Sequence, residues 1–375
     1  MKKIFLSIFA MAVLLPVFAT DWTPQQVEDI IRRVNTYWQT NNPAEVRSFW
    51  DNAAYHTGNI DVYKLLQDKQ MLDYSTRWAE YNYWSGATEQ DPQKWKYKEY
   101  GEGQDYVLFG DWQICFQTYI DLYNIAGGNA PEKMVARAKE VMYYEAYSTP
   151  TDYWWWCDAL YMVMPVMTKM FRLTGDTAYL DKLYANLLYS DSIMLDHEAG
   201  LYYRDARYVY PQHTTAKGKK DFWARGDGWV LAGLAKVLQD LPTDYPHYAF
   251  FAAKFHRLAH TVAKTQQPEG YWTRSMLDPA HAPGYETSGT AFFTYGILWG
   301  INNGYLDQAD YAQTVDRAWT YLTQTALQPS GAIGYVQPIG DHAIPEQTLN
   351  TFSEANFGVG AFLLASCEYY RYISQ

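Results

Sequence analysis

Three short segments of the sequence set a lone carboxylate or guanidinium among tryptophans, and each opens a stretch suited to a buried helix. In Trp154-Trp155-Trp156-Cys157-Asp158, one aspartate precedes the apolar run Ala159-Leu160-Tyr161-Met162-Val163-Met164-Pro165. In Gly110-Asp111-Trp112-Gln113, another precedes the run from Ile114 to Tyr123. Apolar surroundings disfavour a charged carboxylate and raise its pKa. A carboxyl group tuned in this way is a general acid near neutral pH. An aspartate at a helix start also serves as an N-cap, so both roles stand open at each position. In Trp223-Ala224-Arg225-Gly226-Asp227-Gly228-Trp229, two tryptophans flank an arginine, and the glycines permit close backbone approach. The stretch before it is locally basic, with Arg204, Arg207, His213, Lys217, Lys219 and Lys220. In an acidic chain such clustering points to an anionic ligand, because a planar guanidinium holds a carboxylate bidentately. The lysines equally suit a solvated loop. The embedded Arg225-Gly226-Asp227 matches an adhesion tripeptide, but its flanking tryptophans do not suit an exposed adhesive loop.

The elements that must position these residues read as helix after helix. Thr23-Pro24-Gln25-Gln26 carries an N-cap threonine, a proline at the first helical position and a glutamine three residues after the cap. Val27, Ile30, Ile31, Val34 and Tyr37 then recur at helical spacing. Further helices are expected over 61–82, 112–126, 131–146, 157–173, 177–194, 226–240, 246–266, 288–303, 308–326 and 355–373. Stretches dense in small and apolar residues alternate with amphipathic ones, as enclosed and half-wet helices do. The unit repeats about every 50 residues, the period of a helical hairpin. Six such hairpins closed into a ring make an all-α fold, the (α/α)6 barrel, with an inner and an outer layer of helices.

The chain has 375 residues, 48% hydrophobic and 19% charged, with a net charge of −11. That composition excludes intrinsic disorder. The acidic balance argues against a nucleic-acid partner and against adhesion to anionic membranes. Fifteen tryptophans and 35 tyrosines suit a carbohydrate cleft, where flat rings cover the C–H faces of sugars, although most of them must be core. Lys2 and Lys3, the apolar run from Ile4 to Val17 and the sequence Val17-Phe18-Ala19 read as a secretory signal peptide over residues 1–19. A single domain over 20–375, periplasmic or secreted and monomeric, is expected. Cys115, Cys157 and Cys367 are expected as buried thiols; they lack metal-ligand spacing, and no metal or cofactor is expected.

At these residues the sequence resembles the unsaturated glycuronyl hydrolases of glycoside hydrolase families 105 and 88, and looks closer to the rhamnogalacturonyl branch, family 105. The resemblance covers nearly all of the mature chain. It rests on Asp111-Trp112-Gln113-Ile114-Cys115, on Trp156-Cys157-Asp158-Ala159-Leu160-Tyr161-Met162 with Pro165, and on Phe222-Trp223-Ala224-Arg225-Gly226-Asp227-Gly228-Trp229. It continues in Glu286-Thr287-Ser288-Gly289-Thr290, in the segment from Gly300 to Asp307 and in the segment from Gly358 to Ala365. The resemblance implies an (α/α)6 barrel that acts on small fragments left by polysaccharide lyases. These carry a C4=C5 double bond in a terminal uronic acid. The implied reaction hydrates that bond: an acid protonates C4, water adds at C5, and the hemiketal opens to release the aglycone. It implies Asp158 as the catalytic acid and Asp111 as a second active-site carboxyl, with Trp223, Arg225 and Trp229 on the sugar. Arg204 stands where some members carry histidine, and the basic residues some carry before the catalytic helix are missing from Tyr147–Asp152. Both departures touch uronate recognition. Unsaturated galacturonyl-rhamnose is the leading substrate, with unsaturated glucuronides as the alternative. A sugar epimerase or a non-catalytic sugar binder on the same barrel are the rival classes.

Overall fold

The computed structural model describes residues 22–375, so the expected signal peptide lies outside the described residues. The first helix, α1 (Pro24–Asn41), begins at the expected capping box: Thr23 Oγ1 accepts from Gln26 N, and Gln26 Oε1 accepts from Thr23 N. Where one helix was expected over 61–82 there are two, α2 (Trp50–Leu66) and α3 (Lys69–Tyr81). Gln67 adopts the left-handed region with φ 54° and ends α2, and the Asp68 carboxylate caps α3 through Gln70 N. The chain continues through α4 (Gly110–Gln113), α5 (Cys115–Ala126), α6 (Ala136–Tyr147), α7 (Ala159–Met162), α8 (Met164–Thr174) and α9 (Ala178–Met194). A two-stranded antiparallel pair, β1 (Leu195–Asp196) and β2 (Leu201–Tyr202), precedes α10 (Ala224–Asp240) and α11 (Tyr248–Lys264). Last come α12 (Thr287–Asn302), α13 (Gln308–Tyr321) and α14 (Asn356–Ile373).

These helices form the expected double ring. Each of α2, α5, α8, α10, α12 and α14 packs on the next, and α14 closes the ring on α2. Outside them lie α1, α3, α6, α9, α11 and α13. Burial follows the layers. Every residue from Thr287 to Ile301 of α12 is buried, whereas outer α11 buries one stripe of Phe251, Phe255, Leu258, Ala259 and Val262. Ring closure needs glycine: a Cβ on Gly58 would sit 2.3 Å from the Gly360 carbonyl oxygen, so only bare backbone lets α2 and α14 approach this closely.

The helix expected over 157–173 is interrupted at Val163, between α7 and α8. Pro165 has no N–H for the Tyr161 carbonyl. Gln117 of the neighbouring inner helix supplies the missing donor, with Nε2 at 2.7 Å from Tyr161 O and 3.1 Å from Met162 O. At the far end of the ring, the C-terminal halves of the inner helices knit together ionically. Lys169 meets Asp121 at 2.6 Å, Lys64 meets Asp121 at 3.0 Å, and Lys236 meets Asp61 at 3.6 Å. All three cysteines are free and buried. Among the described residues no helix is long and apolar enough to cross a membrane, and no group of three His, Cys, Asp or Glu side chains is placed to hold a metal ion.

Candidate active site

The starts of three consecutive inner segments converge on a cavity of about 260 Å³. Trp50 enters it from the start of α2, Asp111 from α4, and Trp156, Asp158 and Met162 from the entry to α7. Arg204 and Arg207 close one side just after β2, and Ile339, Gly340 and Asp341 close another from the loop before α14. Tyr100 stands at the rim, half exposed.

Neither aspartate is used as a helix cap. Asp158 occupies the N-cap position of α7 but is helical, with φ −61°, and makes no side-chain cap bond. Asp111 sits inside the first turn of α4. Both carboxyl groups are therefore free for other partners. Burial pushes Asp111 well above the usual carboxylate range, and the neighbouring Asp158 adds to the rise. Burial raises Asp158 as well, but Arg204 and then Arg225 pull it back. Burial thus favours the neutral acid at both positions, more strongly at Asp111 than at Asp158, where Arg204 and Arg225 oppose it.

Arg204 is fixed from several sides. Its backbone carbonyl accepts Cys157 N at 2.8 Å, which ties it to the residue before Asp158. Its Nη1 meets Asp205 at 2.6 Å, its Nε lies 3.6 Å from Asp158 Oδ2, and its guanidinium lies 5.8 Å from the Trp155 ring centroid. The remainder of the basic stretch is largely neutralised. Lys220 pairs with Asp196 and Glu198, each at 2.8 Å, and Arg207 pairs with Asp205 at 2.8 Å.

The other three expected sugar contacts stand behind the cavity wall. Trp229 is fully buried among Trp50, Tyr161 and Phe292, so it backs Trp50 and does not line the cavity. Arg225 is 1% exposed, and its fork is spent on backbone: Nη1 donates to Gln337 O at 2.6 Å and Nη2 to Pro338 O at 2.9 Å. It is sandwiched between the Trp223 and Phe357 rings, 4.5 and 4.8 Å from their centroids. Burial lowers the Arg225 pKa to about 10, with Glu286 and Asp158 opposing the fall. The Trp223 Nε1–H donates to Gln337 Oε1 at 2.8 Å. Gln337 also donates from its backbone to Glu286 and from its amide to His342 O, so all four of its polar groups are engaged. Trp223 and Arg225 therefore fasten the loop that presents Ile339, Gly340 and Asp341. Asp227 accepts Tyr202 N at 2.8 Å and is fully buried, which removes the adhesion reading of the tripeptide.

Sequence reasoning missed Trp50, Tyr100, Trp156 and Met162 as lining residues, and also the 339–341 loop. Trp156 was within sight as the tryptophan two before Asp158. Its ring stacks on Phe109, 4.5 Å between centroids. The 339–341 loop carries no local signal, because only its attachment to Arg225 and Trp223 brings it to the cavity.

A closed double ring of helices with acid chemistry at one mouth is the architecture of a carbohydrate-active enzyme, and this chain is a glycoside hydrolase. It belongs to Glycosyl Hydrolase Family 88, whose profile matches residues 22–373. An unsaturated 3S-rhamnoglycuronyl hydrolase of Formosa agariphila is 30% identical over 347 residues, spanning 88% of this chain and 87% of that protein. Among solved structures, a family 88 glycosyl hydrolase from Bacteroides vulgatus is 54% identical, with a TM-score of 0.91 over 94% of this chain and 100% of its own. A structure described as a polysaccharide lyase is 60% identical, with a TM-score of 0.91 over 94% of this chain and 98% of its own. A possible family 105 member from Salmonella enterica shares the fold at 18% identity, with a TM-score of 0.74 over 94% of this chain and 95% of its own.

Proposed function

We propose that the enzyme removes a terminal 4,5-unsaturated uronic acid from a short oligosaccharide by hydrating its double bond, with rhamnose as the leading neighbour of the uronate. The observation that carries this is Asp158: a largely covered carboxyl group, free of any capping role, open to the cavity, its pKa raised by burial against the pull of Arg204. In this reading protonated Asp158 delivers its proton to C4, and positive charge develops at C5 and the ring oxygen. The resulting carboxylate takes a proton from water as the oxygen adds at C5. One group serves as acid and then as base, so the flanking carboxylate pair of an ordinary glycosidase is not required. Asp111, biased by burial toward its neutral form, donates a hydrogen bond to the sugar, and Arg204 faces the uronate carboxylate. The unsaturated 3S-rhamnoglycuronyl hydrolase activity of the Formosa relative supports both the unsaturated uronate and its rhamnosyl neighbour.

The relative described as a lyase supplies a second reading, β-elimination. Elimination needs a base to take the proton at C5, and both cavity carboxyls are biased toward the protonated form. That bias favours hydration. One assay separates the readings, because the ultraviolet absorbance of the conjugated double bond falls on hydration and rises on elimination. A fall with an unsaturated uronyl-rhamnose disaccharide is expected; a rise with an intact polysaccharide, and none of the fall, would replace this reading with the lyase. We also propose, from the basic and apolar run within residues 1–19, that the enzyme is exported, and that its one closed ring of helices works as a single domain and a monomer. Fractionation of the producing cells and the mass of the purified protein in solution check this.

A further inference from the structure

The cavity does not explain one buried acid on the outer layer. Glu145 of α6 is fully buried and lies away from the cavity. Its two oxygens accept three neutral donors: Gln113 Nε2 at 2.8 Å, and Trp154 Nε1 and Asn186 Nδ2 each at 3.1 Å. The nearby cation, Lys182, is turned to the Ser148 and Pro150 carbonyls, at 2.5 and 2.9 Å. Gln113 is two residues after Asp111, and Trp154 is four before Asp158. We infer that Glu145 is a positioning residue that sets the two cavity carboxyls in register by gripping one side chain on the segment of each.

The segments need such a grip. Asp111 lies on the four-residue α4 and Asp158 at the start of the four-residue α7, and neither short helix has a side-chain cap. A buried acceptor between three N–H donors gives directional hydrogen bonds, which fix position more tightly than apolar packing does. Burial raises the Glu145 carboxyl to about 7, with Gln113 opposing the rise most strongly. Ser190 Oγ, donating to the Trp154 carbonyl at 2.6 Å, braces the same segment from α9. The third arm, Asn186, also lies on α9, which contributes nothing to the cavity. Glu145 therefore joins two working segments to one inert support.

This inference rests on the hydration reading, and the test uses the full enzyme with the unsaturated disaccharide. Gln113→Leu and Trp154→Phe each cut one working arm, whereas Asn186→Ala cuts the inert one. Glu145→Gln keeps all three arms. Its oxygen still accepts from Trp154 and Asn186, and Gln113, whose own Oε1 has no partner, flips to accept from the new amide. Small misplacements of reacting groups are costly, so Gln113→Leu and Trp154→Phe should each lower kcat about 10-fold or more at unchanged KM. Asn186→Ala and Glu145→Gln should stay within about 2-fold of wild type, although Asn186→Ala loses as much thermal stability as the working-arm variants. The inference is overturned if kcat falls in step with melting temperature across Gln113→Leu, Trp154→Phe and Asn186→Ala alike, or does not fall at all. An inactive wild type would instead overturn the hydration reading, and this inference with it.

Discussion

Asp158 Oδ2 and Arg204 Nε stand 3.6 Å apart, close enough for charge attraction and too far for a hydrogen bond. Arg204 thereby opposes the rise that burial gives the Asp158 pKa, without locking the carboxylate into a fixed ion pair. Removing this cation raises the Asp158 pKa further. Both limbs of a bell-shaped rate profile then move to higher pH, since the same group must first be protonated and later ionised. Arg204→Gln should therefore shift the pH of maximal kcat upward, in addition to raising KM for the uronate. An unmoved profile would separate Arg204 from the acid.

Asp158→Asn should leave the fold intact and reduce kcat by at least about 10²–10⁴-fold, the usual worth of general acid–base catalysis. Asp111→Asn should do much less. Burial biases Asp111 toward its neutral form, and an amide donates a hydrogen bond there as that form does. A loss of roughly 10-fold, one hydrogen bond's worth, is expected. Steady-state kinetics on both variants check the order, and equal losses would contradict the division of roles.

The geometry of Arg225 sets an expectation that can be read with two substrates. Its fork holds the Gln337 and Pro338 carbonyls, and a lysine cannot reach both. Arg225→Lys should loosen the 339–341 wall and raise KM by about the same factor for an unsaturated uronate and its methyl ester. A selective loss on the free acid would return Arg225 to contact with the sugar carboxylate.

The ionic knot at the far end makes a prediction about stability. Burial alone would raise Asp121, but Lys169 and Lys64 outweigh it and hold the group below the usual carboxylate range. A depressed folded pKa contributes stability above the unfolded value of about 3.9, and the contribution is lost as pH falls through the folded value. Asp121→Asn should thus cost about 1–3 kcal/mol near neutrality, because it leaves the largely covered Lys169 without its nearest carboxylate, while Lys64 stays solvated. The gap to wild type should narrow as the medium becomes more acidic than about pH 4. Urea unfolding at several pH values measures it, and a gap independent of pH would remove the ionic account.

Much of the architecture could be read from the amphipathic helices, because α1, α9 and α13 each bury one face and leave a periodic trace. The inner helices leave less. From Ala53 to Ile60, α2 is buried all round, so polar and small residues such as His56, Thr57 and Asn59 break no visible face. The expected helix began at 61 for that reason, and Trp50 went unseen at its true start. Asp111 and Asp158 were legible because a carboxylate among apolar residues is conspicuous wherever it points. Arg225 and Trp229 were legible as important but not as to direction. Whether they face the cavity or its wall depends on a loop more than a hundred residues later in the chain, and no local pattern encodes it.

The buried cluster of Tyr161, Trp229 and Phe292 also decides how the enzyme meets long molecules. These rings fill the barrel behind the cavity, so the catalytic cavity is a blind well and not a tunnel. A chain cannot thread through, and a product leaves by the mouth it entered. The enzyme is therefore confined to chain ends, removing one terminal sugar per encounter. Its throughput follows the number of ends in solution and not the mass of polymer. It becomes useful only after another activity has cut the polymer into many short pieces.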